Sequence, residues 1–332
     1  MKMNREIKHI HRAALNMSGR RLYDDLARAL LGRAAACRIS RSCPVKDIQQ
    51  VFEWILCDEP SIFGVDSLRI QTYATATDIL PGYLLCGDEY ACELSLCAKS
   101  AESILQISGE NNDYTVALAV HDAMLRRLRY MDDGTRTVHS IVAPLTKGYG
   151  VCEGFAKTYQ YLLQKKGVPC IPVYGTLCQC GGKPEKHVWN MVSFSGQWAH
   201  VDVTLDMTLT QNGSPRRDYF AVSSMGIRAD HFFDADGYPR SNSEELEYYC
   251  ASGLVKSTRS ELAKHICARI GAGDRSIVFK LPDNVPKAGI TDKVSNVAET
   301  ALRGLRFCGY YELRYNIDRN VFEIAVGEGQ QK

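Results

Sequence analysis

In KGYGVCEGFAKTY, residues 147–159, Cys152 lies between two glycines, where a helical pattern begins: Val151, Phe155, Tyr159 and Leu162 recur at about one turn. This places Cys152 in the first turn of a helix. There the unpaired backbone N–H groups and the helix dipole stabilise an anion, so a thiol can serve as a nucleophile. The same N–H groups can hold an oxyanion. Glu153, a neighbouring carboxylate, works against the thiolate. A nucleophile of this kind needs a base held by a third group. HVWNMVSFSGQWAHVDVT, residues 187–204, reads as a β-hairpin with a two-residue Ser195-Gly196 turn that pairs Phe194 with Gln197. Carried down the ladder, that register sets Trp189 opposite Asp202 and His187 opposite Thr204. His187, Trp189, Met191, His200, Asp202 and Thr204 then share one face. His187 and Asp202 become diagonal neighbours, roughly 7–8 Å apart at the backbone and within side-chain reach. A carboxylate so placed holds an imidazole in one tautomer while its other nitrogen faces a thiol. His200 is the rival base on this face. At mid-strand opposite Met191 it reads as structural, whereas His187 stands at the strand entrance, beside a loop.

These segments resemble the transglutaminase-like superfamily, as found in bacterial transglutaminase-core proteins. The resemblance rests on GVCEGFAKTYQYLLQKKGVPC, on VYG, and on HVWNMVSFSGQWAHVDVTLD. It extends to RRDYFAVSSMGIRADHFF, which is similar to the Y-F…D-H segment after the core, and covers about residues 112–235. It implies a papain-like α/β (α+β) core, with a nucleophile helix packed on an antiparallel sheet, and a catalytic triad of Cys152, His187 and Asp202. Leu205 and Ala199 depart from the family pattern, where tryptophan and an aromatic are usual, and bear on the pocket walls rather than on the triad. Tyr149, Gly150 and Trp189 are expected to form the substrate pocket, with Gly150 letting the chain turn into the helix.

The resemblance implies a cysteine-nucleophile acyl-transfer enzyme acting on peptide or protein amides. It would be a protease or amidase if water accepts the acyl group and a transglutaminase if an amine does. A non-catalytic protein-binding module and a peptide N-glycanase are the alternatives. No metal and no cofactor is expected. Cys178-Gln-Cys180, with Cys170 upstream, lacks the second pair that structural zinc uses. No acidic loop of the EF-hand type is present, and DADGYP at 234–239 reads as a turn. His121-Asp122, inside a helix, is expected to serve packing or helix-surface polarity, and Asp230-His231 either to support the site from behind the triad or, the favoured reading, to play a structural role.

The elements around these motifs divide the chain into three: 1–110, mainly helical; 111–238, the core; and 239–332, a small α/β unit. Helical patterns fill 5–17, 20–36 and 45–60. Alternation in YACELSLCA and SILQIS, residues 90–98 and 103–108, reads as strand. Asn112 or Asp113 caps a helix over the next fifteen or so residues. CIPVYGTL, SIVFKL and the pair in YYELRYNIDRNVFEIAV read as strands, and ITDKVSNVAETALRGL as a helix. Forty basic against thirty-eight acidic residues give a net charge of +2, with no electrostatic footprint for nucleic acid or an anionic membrane. Thirteen cysteines, an odd count, do not suggest a disulfide framework. No signal-peptide core and no membrane-length apolar run is present, so the expectation is a soluble, cytoplasmic protein.

Overall fold

Residues 9–106, 112–179, 182–210 and 215–328 are described by a computed structural model. The boundary drawn between 110 and 111 and the thiol of Cys180 lie outside the described residues. A short helix α1 (Ile10–Ala14) leads to α2 (Met17–Leu31), whose N-cap Asn16 accepts from the Gly19 N–H. Its stripe of Leu22, Tyr23, Leu26 and Leu30 is buried. Strand β1 (Cys37–Ile39), helix α3 (Val45–Asp58), β2 (Val65–Thr72) and β3 (Thr77–Tyr83) follow. The three strands form an antiparallel sheet in the order β1-β3-β2, so this part of the chain is not simply helical.

Residues 87–104 form a helix, α4 (Gly87–Ile104), where the alternation of Tyr90, Cys92, Leu94 and Leu96 had suggested a strand. The cause is local. Cys86 and Glu89 close a capping box, and the residues that go inside, Tyr90, Cys97, Ala101 and Ile104, follow helical spacing.

Asn112 caps α5 (Asp113–Arg127), as its sequence suggests. Strand β4 (Arg129–Tyr130), α6 (Val142–Lys147) and β5 (Tyr149–Gly150) lead into α7 (Cys152–Lys166). Then come β6 (Cys170–Leu177), β7 (Glu185–Phe194) and β8 (Gln197–Val201), followed by α8 (Val203–Leu209), β9 (Phe220–Val222), α9 (Ser224–Ile227) and β10 (His231–Phe232). The sheet is antiparallel in the order β10-β6-β7-β8-β9. Helix α7 packs on β6 and β7, burying Phe155, Tyr159, Leu162 and Leu163. Each such side chain removed from water contributes about 1.5–3 kcal/mol.

The last part holds α10 (Tyr248–Ala251), α11 (Arg259–Gly271), β11 (Ser276–Lys280), α12 (Ile290–Gly304), β12 (Gly309–Asn316) and β13 (Val321–Glu328). Its sheet order is β11-β13-β12, around a separate cluster of Ile266, Phe279, Val294, Phe322 and Ile324. No helix among the described residues is long and apolar enough to cross a membrane.

Candidate active site

Cys152 is the first residue of α7, and its N-cap Val151 offers no side-chain acceptor, so the first-turn N–H groups are left for another partner. The approach to this helix is set by glycines, though not as the sequence suggests. The left-handed residue is Gly148 (φ 78°), which ends α6. Gly150 does not take a positive φ; it is needed for close approach, since a Cβ there would lie 2.8 Å from Pro144 Cγ and 3.2 Å from Val138 O.

The hairpin has the expected register: Phe194 pairs with Gln197, Met191 with His200 and Asn190 with Val201. Ser195 (φ 52°) and Gly196 (φ 93°) make the two-residue turn. The strand stops one residue before Asp202, however. Asp202 is the N-cap of α8, its Oδ1 accepting from Thr204 N at 2.8 Å and Leu205 N at 3.1 Å. Thr204 is therefore helical and does not face His187 across the ladder. Oδ2 is left for His187, whose Nε2 lies 2.6 Å away. The remaining face of the His187 ring is within reach of the Cys152 thiol. Burial opposes a charge on this ring, but Asp202 and Cys152 outweigh it and carry His187 up to about 10. Burial likewise works against the Asp202 charge, yet His187 and His231 hold the carboxyl well below its usual range. Cys152, His187 and Asp202 thus converge in space.

Trp189 is 1% exposed. It stacks beneath His187 with ring centroids 6.0 Å apart and donates from Nε1 to His200 Nδ1 at 3.0 Å. Gly150 is buried in the β4–β5 pairing, and Tyr149 donates its hydroxyl to Asp133 Oδ2 at 2.9 Å. His200 is tied up on both sides, its Nε2 lying 3.0 Å from Ser224 Oγ. Burial, with the charges of His231 and Arg228, pulls it down to about 3, so it stays neutral.

Two further groups reach the site. His231, on edge strand β10, places Nε2 3.1 Å from Asp202 Oδ2 and Nδ1 2.6 Å from Asp230 Oδ1. One helical turn beyond Asp202, Asp206 Oδ2 lies 2.9 Å from His121 Nε2, and His121 Nδ1 lies 3.2 Å from Asp122 Oδ1. The sequence left His121 between packing and helix-surface polarity; it is fully buried, and its partner on α8 was not legible. Donor atoms of His187, Asp202 and His231 lie within 4.8 Å of one another, spacing that could suit a metal ion. Two hydrogen bonds to one carboxylate oxygen already account for that closeness.

The model of the transglutaminase-like superfamily matches residues 101–203, a span that holds Cys152, His187 and Asp202. No curated protein matches the chain. Among solved structures it is similar to a TGase at 14% identity and TM-score 0.33, over 68% of this chain and 66% of that one. It is also similar to a candidate cysteine protease from Cytophaga hutchinsonii, at 16% identity and TM-score 0.28, over 42% and 61%. A candidate protease from Parabacteroides distasonis is similar at 12% identity and TM-score 0.24, over 40% and 35%. The chain covers two thirds or less of each of these proteins.

Proposed function

We propose that the transglutaminase-like domain of residues 101–203 performs acyl transfer from a peptide or protein amide through Cys152. One observation carries the reading: His187 sits between Asp202, at 2.6 Å, and the thiol of a cysteine that opens a helix. The Cys152 thiolate attacks the amide carbonyl and a C–S bond forms. The resulting oxyanion is held by the free N–H groups of the first turn of α7. On collapse the C–N bond breaks, and the amine leaves with the proton that His187 donates. His187 then takes a proton from the acceptor as it attacks the thioester, and Cys152 is released. Asp202 keeps Nε2 of His187 engaged throughout, leaving the other ring nitrogen for the thiol and the leaving group. Water as acceptor makes the enzyme a protease or amidase; an amine makes it a transglutaminase.

The test is iodoacetamide labelling between about pH 5 and pH 9, mapped by peptide mass spectrometry, in the wild type and in His187→Ala. Cys152 is expected to react ahead of the other twelve cysteines below neutral pH and to lose that lead in the variant. Labelling no faster than its neighbours, or indifferent to His187, would refute the catalytic reading and favour a protein-binding module.

A further inference from the structure

Asp202 Oδ2 receives two imidazoles, and only one of them touches the thiol. The second, His231, has no measurable exposure. Both of its ring nitrogens lie on carboxylate oxygens, Nε2 on Asp202 and Nδ1 on Asp230. A neutral imidazole carries one N–H and an ionised carboxylate only accepts, so two such contacts require both nitrogens to be protonated. Asp230 is itself fixed, its Oδ2 accepting from the Tyr219 hydroxyl at 2.5 Å. We propose that His231 is a positioning residue of the Cys152 site: an imidazolium clamped between Asp202 and Asp230 that holds the Asp202 carboxylate in place and shares its charge with His187. The inference rests on the catalytic reading above.

The geometry leaves Asp202 little freedom. Its Oδ1 is engaged by the two N–H groups that start α8, and the two acceptor directions of Oδ2 are taken by His187 and His231. The rings of His187 and His231 are 5.6 Å apart, so a proton on one raises the cost of a proton on the other. The groups that face His231 are Asp202, Asp230, His187, His200 and Tyr219, with Arg319 reaching the Asp230 charge from the β12–β13 turn. Of these, His200 is neutral and the carboxylates favour the His231 cation; their pull outweighs its burial and raises its affinity for a proton. The purpose of a second imidazolium follows from the reaction. Paired with Asp202 alone, His187 would cling to the proton it must hand to the leaving amine. A cation on the far side of the same oxygen loosens that hold.

Nitrogen NMR of the full-length protein labelled in histidine gives two readouts that a merely structural role would not move. In the wild type, His231 is expected to keep both ring nitrogens protonated at about pH 8, where a free imidazole is neutral. In His231→Gln, whose amide still donates to Asp202 but carries no charge, the His187 midpoint is expected to rise by about one pH unit or more, a roughly tenfold shift. A neutral His231 at that pH overturns the inference, and so does an unmoved His187 midpoint. If the variant does not fold, the wild-type signal decides alone. Failure of Cys152 to outpace its neighbours in alkylation counts against the catalytic reading instead, because the ring signals are read without reference to the thiol.

Discussion

Gly154, the third residue of α7, should reverse the usual effect of replacing a helical glycine by alanine. In an open helix that change stabilises by about 1 kcal/mol. Here the new Cβ would lie 2.1 Å from Val138 O and 3.1 Å from Ser140 O. A carbon and a carbonyl oxygen settle no closer than about 3.3 Å, so the helix and the 136–139 turn must part by about 1 Å. The strained carbonyl is also the acceptor for the N–H of Val151, the N-cap of α7. The displacement therefore falls on Cys152. Overpacking of this kind costs about 1–3 kcal/mol, which cancels the propensity gain and leaves a net loss of up to about 2 kcal/mol. For the proposed reaction, a shift of about 1 Å at the Cys152 thiol is expected to cost roughly 100-fold in rate. Gly271, which ends α11 with nothing within 4 Å of a built Cβ, is the internal control. Urea titration should place Gly271→Ala above the wild type and Gly154→Ala below it, with Cys152 alkylation slowed only in the second. A Gly154→Ala protein as stable as the wild type, with Cys152 reacting at the same rate, would refute the reasoning.

Two more outcomes follow from the buried imidazoles. His187 binds its proton more tightly folded, at about 10, than unfolded, at about 6.5. The stability this contributes is complete below about pH 6.5 and is lost as pH climbs from there through about 10. His187→Gln should flatten that decline in urea midpoints taken across the range, and parallel curves for the two proteins would show that the group is not linked to folding. His121→Ala removes a fully buried ring from between Asp206 and Asp122 and should cost about 3–5 kcal/mol, the penalty of leaving a buried carboxylate without its partner. Urea titration measures it, and a loss under about 1 kcal/mol would mean that Arg217, which pairs with Asp122, carries the cluster.

The site was legible where a short-range rule governed it. A two-residue turn and strict alternation fix the parity of a hairpin, and that parity puts His187 and Asp202 on one face. The same rule failed over 90–98, where alternation by two coexisted with helical spacing. The deciding signal there was a capping box built on Cys86, a residue type outside the usual Ser, Thr, Asp and Asn caps. Asp202 read as a strand residue because the alternation carries on through VDVT, although Asp is itself a usual cap. There the Asp202 N–H bonds to Tyr219 O, seventeen residues on, and the Asp202 side chain opens α8. His231 was visible only as a candidate support for the site, with a structural role favoured. It arrives through pairing with Leu177 across the edge of the sheet, a contact no local pattern encodes. The chemistry-bearing residues were therefore visible individually, while the contacts that lock them depended on long-range closure.

Helix α8 ties these contacts together. Asp202 and Asp206, one turn apart, each accept from an imidazole, and Tyr219 joins both clusters. Its backbone N–H bonds to Asp206 Oδ1 at 3.1 Å, while its hydroxyl holds Asp230 behind His231. A carboxylate at the end of a strand could swing about χ1 and χ2, and ordering it would cost side-chain entropy. As an N-cap, Asp202 is oriented by backbone N–H groups, an arrangement worth about 1 kcal/mol to the helix in its own right. The direction of Oδ2, and with it the tilt of His187 toward Cys152, is thus set by where α8 begins. Burial pushes the Asp206 carboxyl up to about 7 even with His121 bonded to it, so the anchor one turn along α8 is the less firmly charged of the two. A third histidine, His121, thus ties α8 to α5 one turn beyond Asp202.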